Sequence, residues 1–208
     1  MRRALAVELW RSDMVRVRAD EPFRLASGGL SPLYIDIRRL LGDGGLRGLV
    51  TAMGAFTIER SGLEADVLAG GETAGIPFAA LLAASVAKPM VYVRKKPKGH
   101  GAAAQIEGGD ASGKRVLLVE DLVTAGGSLL TFLDALERAG ARVEDALAVF
   151  DRRQGGEQRL AERGVRLHSL CDLPLALAIG VERGFLDSAA RGVVEAYLDD
   201  PEGWSAAR

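Results

Sequence analysis

The chain has 208 residues, which suits one domain with a small appended subdomain and allows about 70% of the unfolded surface to be buried. Hydrophobic residues make up 48% and charged residues 26%, a composition that excludes general disorder. A net charge of −1 argues against a nucleic-acid binder that depends on a positive surface field. The single cysteine, Cys171, leaves no intrachain disulfide to form, and no Cys/His cluster has the spacing of a metal site.

The first residues predict an amphipathic helix rather than a signal peptide. Charged Glu8, Arg11 and Asp13 interrupt the stretch that starts at residue 4, and no small-residue cleavage site follows. No stretch elsewhere approaches the roughly 18 uncharged apolar residues of a membrane helix. We therefore expect a cytoplasmic protein that has no membrane as a partner.

Four short apolar runs are typical of strands buried on both faces of a parallel sheet. The runs are residues 66–69, 90–93, 115–119 and 146–150. Helical patterns over residues 77–87 and 128–139 separate them, and residues 166–170 predict one more strand. The alternation predicts an α/β fold, with a central, mostly parallel sheet flanked by helices.

The two ends of the chain predict a small hood over the sheet. Residues 23–37 predict short strands around a turn at 27–29, and residues 171–198 predict helices. We expect a single domain over residues 1–208, with a hood from about 1–40 plus a C-terminal contribution and a core over about 41–170. Residues 94–114 are polar, glycine-rich and without periodicity, so they predict a flexible lid that is too polar to join the core.

Polar segments follow each predicted strand at its carboxyl end, where ligands of open parallel α/β sheets bind. The segments are residues 70–75 (GGETAG), 94–101 (RKKPKGHG), 120–128 (EDLVTAGGS) and 151–153 (DRR). One edge of the sheet thus carries an acidic pair, two glycine-rich turns, a run of cations and an arginine.

The third of these segments predicts a ribose 5-phosphate site. The small residues 124–128 join a strand to a helix, so backbone N–H groups and the helix N-terminus can face one phosphate. Glu120 and Asp121, just before them, can accept hydrogen bonds from the vicinal hydroxyls of a ribose. The alternative is an ordinary strand–helix turn with Ser128 as its N-cap, which leaves the acidic pair unexplained.

The second segment concentrates positive charge. Residues 94–101 include four Lys or Arg and no acid, which leaves the rest of the chain acidic. A solvated charge run is the alternative interpretation. On the binding edge, with Gly99 and Gly101 as hinges, the run predicts a lid for a polyanion such as pyrophosphate. Competing phosphate motifs, G-x-x-x-x-G-K-[ST] and a G-x-G-x-x-G after a strand, are absent from the sequence.

The same segments resemble those of a known family. Residues 116–128 (VLLVEDLVTAGGS) resemble the phosphoribosyl pyrophosphate signature of type I phosphoribosyltransferases. Residues 92–101 (YVRKKPKGHG) resemble the lid of orotate phosphoribosyltransferases, and residues 23–38 and 150–156 are also similar to that family. The resemblance implies the type I phosphoribosyltransferase fold with a small hood. It also implies transfer of the phosphoribosyl group to orotate, which gives orotidine 5-phosphate and pyrophosphate in pyrimidine biosynthesis.

Roles for individual residues are implied by this resemblance. The residues implied to bind phosphoribosyl pyrophosphate are Thr73, Arg94, Lys95, Lys98, His100, Glu120, Asp121, Leu122, Val123, Thr124, Ala125, Gly126, Gly127 and Ser128. Those implied to contact orotate are Tyr34, Ile35, Thr124 and Arg152. Those implied to be catalytic are Lys98, His100 and Asp121. The resemblance further implies Mg²⁺ held mainly through the pyrophosphate, with no metal site of the protein itself, and a homodimer in which each lid closes over the partner's pocket.

One position departs from the family pattern. The family's lysine in or just after the Phe-x-Leu-x-Ser-Gly segment is missing, and Ala26, Gly29 and Leu30 stand there instead. A phosphoribosyltransferase for another base therefore stays open. So does a non-catalytic regulator that senses the ligand and binds nucleic acid, although that would need a basic face. The sequence also leaves open whether Arg152 or Arg153 faces the site.

Overall fold

Strands and helices alternate along the chain, as the apolar runs predict. The computed structural model describes residues 1–25, 28–97 and 105–208. The strands are β1 (Val15–Val17), β2 (Phe23–Arg24), β3 (Leu30–Ser31), β4 (Leu33–Ile35), β5 (Val67–Gly71), β6 (Met90–Val93), β7 (Ile106–Glu107), β8 (Arg115–Val123), β9 (Arg142–Asp151) and β10 (Arg166–Asp172). The α-helices are α1 (Arg2–Arg11), α2 (Gly44–Arg60), α3 (Gly75–Ser85), α4 (Gly127–Arg138), α5 (Gly156–Ala161), α6 (Leu173–Glu182), α7 (Ser188–Asp199) and α8 (Pro201–Ala206), and a 3-10 helix spans Ile37–Gly42.

These elements divide into two units. One unit comprises Met1–Arg39 and Leu173–Arg208, and the other comprises Leu40–Asp172. Among the described residues, each helix is too short or too polar to cross a bilayer.

The first unit joins the two ends of the chain. Its α1 packs on α6 through buried Leu5 and Leu9, and the indole N–H of Trp10 donates to the carbonyl of Ala176 at 2.7 Å. The helix predicted at the start of the chain is confirmed. The predicted hairpin also forms, because β2 pairs antiparallel with β3, although Ala26 and Ser27 lie outside the described residues.

The second unit is built on a six-stranded sheet in the order β10-β9-β8-β5-β6-β7. All neighbouring strands are parallel except β6 and β7, which pair antiparallel at the edge. Helix α4 covers one face with Leu129, Leu133 and Leu136, all buried in the core and all on the face that the sequence predicts. The predicted α/β fold with a mostly parallel sheet is confirmed.

Strand β8 is longer than predicted. It continues past residue 119 to Val123 and stays paired with β9 through Leu122 and Val123. Glu120 and Asp121 therefore lie within the strand and not in the loop after it. The apolar pattern ends before the strand does, because the backbone ladder with β9 does not require apolar side chains. Residues 171–172 likewise belong to β10 and not to the predicted helix.

Part of the predicted lid is packed on the sheet. Residues 106–107 form β7 against β6, Gln105 is buried, and Ala111 is 2% exposed within the core. The prediction that all of 94–114 is too polar to join the core is therefore wrong for its C-terminal part. An edge strand needs backbone hydrogen bonds and one small apolar anchor, not an apolar run. Residues 98–104 lie outside the described residues.

The glycine-rich turn after β5 is explained by close packing against β8. A Cβ on Gly75, the first residue of α3, would lie 2.6 Å from the carbonyl oxygen of Val119 and 2.8 Å from Oε1 of Glu120. A Cβ on Gly70 would lie 2.7 Å from Cα of Ile76. Only glycine lets the turn approach β8 this closely, and the approach places the turn directly over Glu120.

The Gly75→Ala substitution should lower the free energy of unfolding by about 1–3 kcal/mol, because the added methyl group meets backbone that cannot move away. Gly192 in α7 is a matched control, since a Cβ there meets no atom within 4 Å. Gly192→Ala should stabilise the protein by up to about 1 kcal/mol through its helix interior position. Urea unfolding of both variants measures the difference, and equal stability of the two would contradict the packing argument.

Candidate active site

The carboxyl ends of the parallel strands bring four turns to one edge of the sheet. The described parts of these turns begin after β5, β6, β8 and β9, as the sequence predicts. Hydrogen bonds tie neighbouring turns together: the amide of Lys95 donates to the Glu72 carboxylate at 2.7 Å, and the amide of Arg152 donates to the carbonyl of Val123 at 2.8 Å. Hydrogen bonds thus tie the turn after β5 to that after β6, and the end of β8 to the turn after β9.

Residues 124–128, which we call the phosphate loop, line an open cavity of about 300 Å³ together with Glu120 and its neighbours in β8. Gly126 is the N-cap of α4 and has a φ of 77°, in the left-handed region that favours glycine. No side chain caps this helix start, so the N–H groups of its first turn are open to a bound anion. Ser128 lies inside the helix, which rules out the alternative of a serine-capped turn.

The acidic pair before the loop is unequally buried. Glu120 is 6% exposed, and its Oε1 accepts a hydrogen bond from the amide of Asp121 at 3.2 Å. Burial raises the pKa of Glu120, and the charge of Asp121 and a hydrogen bond between the two carboxyl groups raise it further. The pair therefore holds a proton more readily than two separate carboxylates. Hydroxyl donors or a cation brought by a ligand would favour the ionised form.

The two arginines after β9 have different surroundings. Arg153 has a φ of 55°, and its guanidinium forms ion pairs with Asp151 at 3.2 Å, with Asp172 at 3.5 Å and with Glu157. Burial raises the pKa of Asp151, and the amide and guanidinium of Arg153 partly offset that rise. Three carboxylates therefore engage the guanidinium of Arg153.

Two predicted orotate contacts lie in the first unit. Tyr34 and Ile35 are in β4, which pairs antiparallel with β1. The ring of Tyr34 lies 5.4 Å from that of Phe23, and the Arg16 guanidinium lies 4.7 Å from the Tyr34 ring centroid. Their neighbours in this unit are therefore aromatic and cationic.

Some of the residues predicted to contact pyrophosphate lie within the part of the chain that the structure describes. Thr73 is exposed and follows a cis peptide bond, at the turn after β5. Arg94 directly follows β6 and forms an ion pair with Glu107 of β7 at 3.5 Å. Lys98 and His100, the two predicted catalytic residues of the lid, lie outside the described residues.

Two carboxylates of this edge were not predicted. Glu72 accepts the amide of Lys95, and Asp172 pairs with Arg153. Asp172 comes directly after the apolar part of β10, in the same position relative to its strand as the other polar segments of this edge, and that position is the signal that identifies it. Glu72 lies in the predicted polar segment 70–75, but the sequence assigns no separate role to its side chain.

The fold and the loop define a phosphoribosyltransferase: residues 49–165 match the family model described as the phosphoribosyl transferase domain. An orotate phosphoribosyltransferase of Rhizobium johnstonii is 47% identical over 207 residues, which cover 99% of this chain and 90% of that protein. One of Sinorhizobium medicae is 47% identical over 210 residues, with the same coverage. The chain belongs to the orotate phosphoribosyltransferase family, the enzymes that make orotidine 5-phosphate in pyrimidine biosynthesis.

Solved structures agree with this assignment. The orotate phosphoribosyltransferase of Aeropyrum pernix has a TM-score of 0.74 and 36% identity, covering 88% of this chain and 99% of that one. The Mycobacterium tuberculosis enzyme, solved in complex with phosphoribosyl pyrophosphate, has a TM-score of 0.66 and 27% identity, covering 84% and 98%. The predicted family, fold and enzyme class are confirmed.

The raised pKa of Glu120 predicts a pH-dependent stability. A carboxyl group whose pKa is raised by folding stabilises the fold at low pH, and that contribution is lost as the pH rises through the raised pKa. Glu120→Gln should therefore raise the Tm of the ligand-free protein most at alkaline pH and least near about pH 5. Thermal unfolding from about pH 5 to 9 measures this. Asp121→Asn is the control, since it should lessen the pH dependence without abolishing it, and a Tm difference independent of pH would contradict the assignment.

Proposed function

We propose that the chain transfers the 5-phosphoribosyl group from phosphoribosyl pyrophosphate to orotate through the groups gathered at the carboxyl edge of the sheet. The observation that carries this proposal is the phosphate loop, which lines one cavity together with Glu120 of the adjacent carboxylate pair. An anion-binding loop beside two hydrogen-bond acceptors matches the 5-phosphate and vicinal hydroxyls of one ribose. The reaction needs no nucleophilic side chain from the protein.

The contacts proposed for the ribose end of the substrate are preformed. The 5-phosphate accepts hydrogen bonds from N–H groups of residues 124–128, and the hydroxyls donate to Glu120 and Asp121. Donation by the hydroxyls favours the ionised form of the acidic pair. Leu122 and Val123 lie in β8 between the acidic pair and the phosphate loop, and they hold the strand that carries both of them.

The pyrophosphate end develops negative charge as the C1–O bond breaks and the ribose gains oxocarbenium character. The residues proposed to bind it are Arg94, Lys95, Lys98 and His100, together with Thr73 in the turn after β5. Stabilising the leaving group and excluding water are then the main catalytic tasks.

A divalent cation fits the acidic edge. Among the described residues there is no group of three or more His, Cys, Asp or Glu that could hold a metal ion. Mg²⁺ commonly binds through one or two carboxylates and substrate phosphates, so the exposed side of the Glu120–Asp121 pair suits it. When bound, it neutralises charge on the pyrophosphate. We propose Mg²⁺ as the cofactor on this basis.

The base is proposed to bind through its carboxylate. Arg152, in the turn after β9, offers a guanidinium fork that matches a carboxylate. Thr124, Tyr34 and Ile35 are the further proposed contacts of orotate. We also propose that the first unit acts as the hood and that the enzyme works in the cytoplasm.

Arg152→Ala should raise the KM for orotate by about ten- to a hundredfold, because a charge-assisted hydrogen bond is lost. The KM for phosphoribosyl pyrophosphate should change little. Steady-state kinetics with orotate, uracil, adenine, guanine and xanthine tests which base is the substrate and whether Arg152 binds it. Arg152→Lys is the control, since it keeps the charge but loses the fork and should recover part of the activity. Preference for another base, or equal effects on both KM values, would overturn the assignment.

The lid is proposed to act across a homodimer. Lys98→Ala impairs a lid and Asp121→Asn impairs a pocket, so each variant alone should be inactive. In a mixed dimer with lids shared in trans, the intact lid of one chain meets the intact pocket of the other. Random exchange makes half of the dimers mixed, and about a quarter of all sites should regain activity. Orotidine 5-phosphate formation after mixing measures it, and no recovery despite proven subunit exchange would refute the shared site.

A further inference from the structure

The side chain of Arg159 reaches from α5 to the phosphate loop. Its guanidinium donates a hydrogen bond from NH1 to the carbonyl oxygen of Ala125 at 2.9 Å. The amide of Gly156, at the start of the same helix, donates to the carbonyl oxygen of Thr124 at 3.0 Å. The first two carbonyl groups of the loop are therefore both held by α5.

Holding these carbonyls determines the direction of the adjacent N–H groups. The C=O and N–H of a trans peptide unit point in opposite directions. Within the described parts of the chain, the peptide bond between Glu72 and Thr73 is the one in the cis form, so the loop peptides are trans. With the carbonyl of Ala125 turned towards Arg159, the N–H of Gly126 points away from that guanidinium.

The backbone of the loop is conformationally permissive at this point. Gly126 has a left-handed φ and no side-chain cap, and a Cβ on it would lie 3.1 Å from Cα of Gly156. Glycine loses more conformational freedom on folding than other residues, so a peptide next to it needs an external contact to keep one orientation. Arg159 provides such a contact.

We infer that Arg159 is a positioning residue for the 5-phosphate of the substrate and product. It acts through the Ala125 carbonyl by orienting the loop N–H groups, and its charge favours the phosphate. The inference rests on the proposed function of the phosphate loop. It concerns the 5-phosphate alone, since orotate and pyrophosphate are assigned to other residues.

The chain contains a matched control for this arginine. Arg163 follows α5 and forms ion pairs with Asp134 at 2.9 Å and Glu137 at 2.6 Å, both in α4. It extends from the end of α5 to α4 and carries the same charge, but it contacts no residue of the phosphate loop in the hydrogen bonds of the described residues. Its removal reports what a structural arginine at this place contributes.

The test measures binding of ribose 5-phosphate, which carries the 5-phosphate without base or pyrophosphate. Calorimetry should show about a tenfold weaker Kd for Arg159→Ala, in the range expected for loss of a hydrogen bond to a charged group. Arg159→Lys, which keeps the charge and a donor, should recover most of the affinity. Arg163→Ala should bind as the unmodified protein does, and inorganic pyrophosphate should bind all four proteins equally.

Kinetics provide the second readout. Arg159→Ala should raise the KM for phosphoribosyl pyrophosphate and leave the KM for orotate unchanged, whereas a general loss of structure would affect both. Unchanged ribose 5-phosphate binding by Arg159→Ala, or an equal loss for pyrophosphate and orotate, would overturn the inference alone. If the unmodified protein itself failed to bind ribose 5-phosphate, the proposed function of the loop would fall instead.

Discussion

The geometry of the site depends on the parallel ladder between β8 and β9, which continues beyond the apolar part of both strands. Its last pairs are Leu122 with Phe150 and Val123 with Asp151. Because the two strands end together, the amide of Arg152 meets the carbonyl of Val123, and the turn after β9 lies against the phosphate loop. The groups assigned to the ribose phosphate and to the base are thus placed by backbone pairing. Side-chain contacts then adjust their direction.

Buried acids at this edge are compensated in two different ways. Asp151 and Asp172 are nearly inaccessible and share the guanidinium of Arg153, so their charges are balanced within the protein. Glu120 has no such cation among the described ion pairs, and its pKa is raised by burial and by Asp121. The first pair belongs to the architecture of the turn. The charge of the Glu120–Asp121 pair, in contrast, can be stabilised by hydrogen-bond donors or a cation that a ligand brings.

The sequence predicts the sheet and the binding edge because both have local signatures. Buried parallel strands are continuous apolar runs, and the turns after them contain glycines and charges. The features that the sequence does not predict depend on contacts between residues that are distant in the chain. The continuation of β8 through Glu120 is determined by β9, and the ion pairs of Arg153 depend on its left-handed backbone and on the position of Asp172. Helix α2 was missed because its exposed face includes Phe56, 48% exposed, which weakens the amphipathic pattern.

The return of the chain to the sheet at β7 has a consequence for the segment between Arg94 and Gln105. The two residues are joined by a pair of hydrogen bonds, from the amide of Arg94 to the carbonyl of Gln105 at 2.8 Å and from the Gln105 side chain to the carbonyl of Arg94 at 3.1 Å. Arg138 holds the same glutamine from α4 at 2.8 Å. The two ends of the segment are therefore held together by hydrogen bonds. Doubling the length of a loop with fixed ends costs only about 0.6 kcal/mol, so insertions between these residues can change how far the segment extends while the sheet stays as it is.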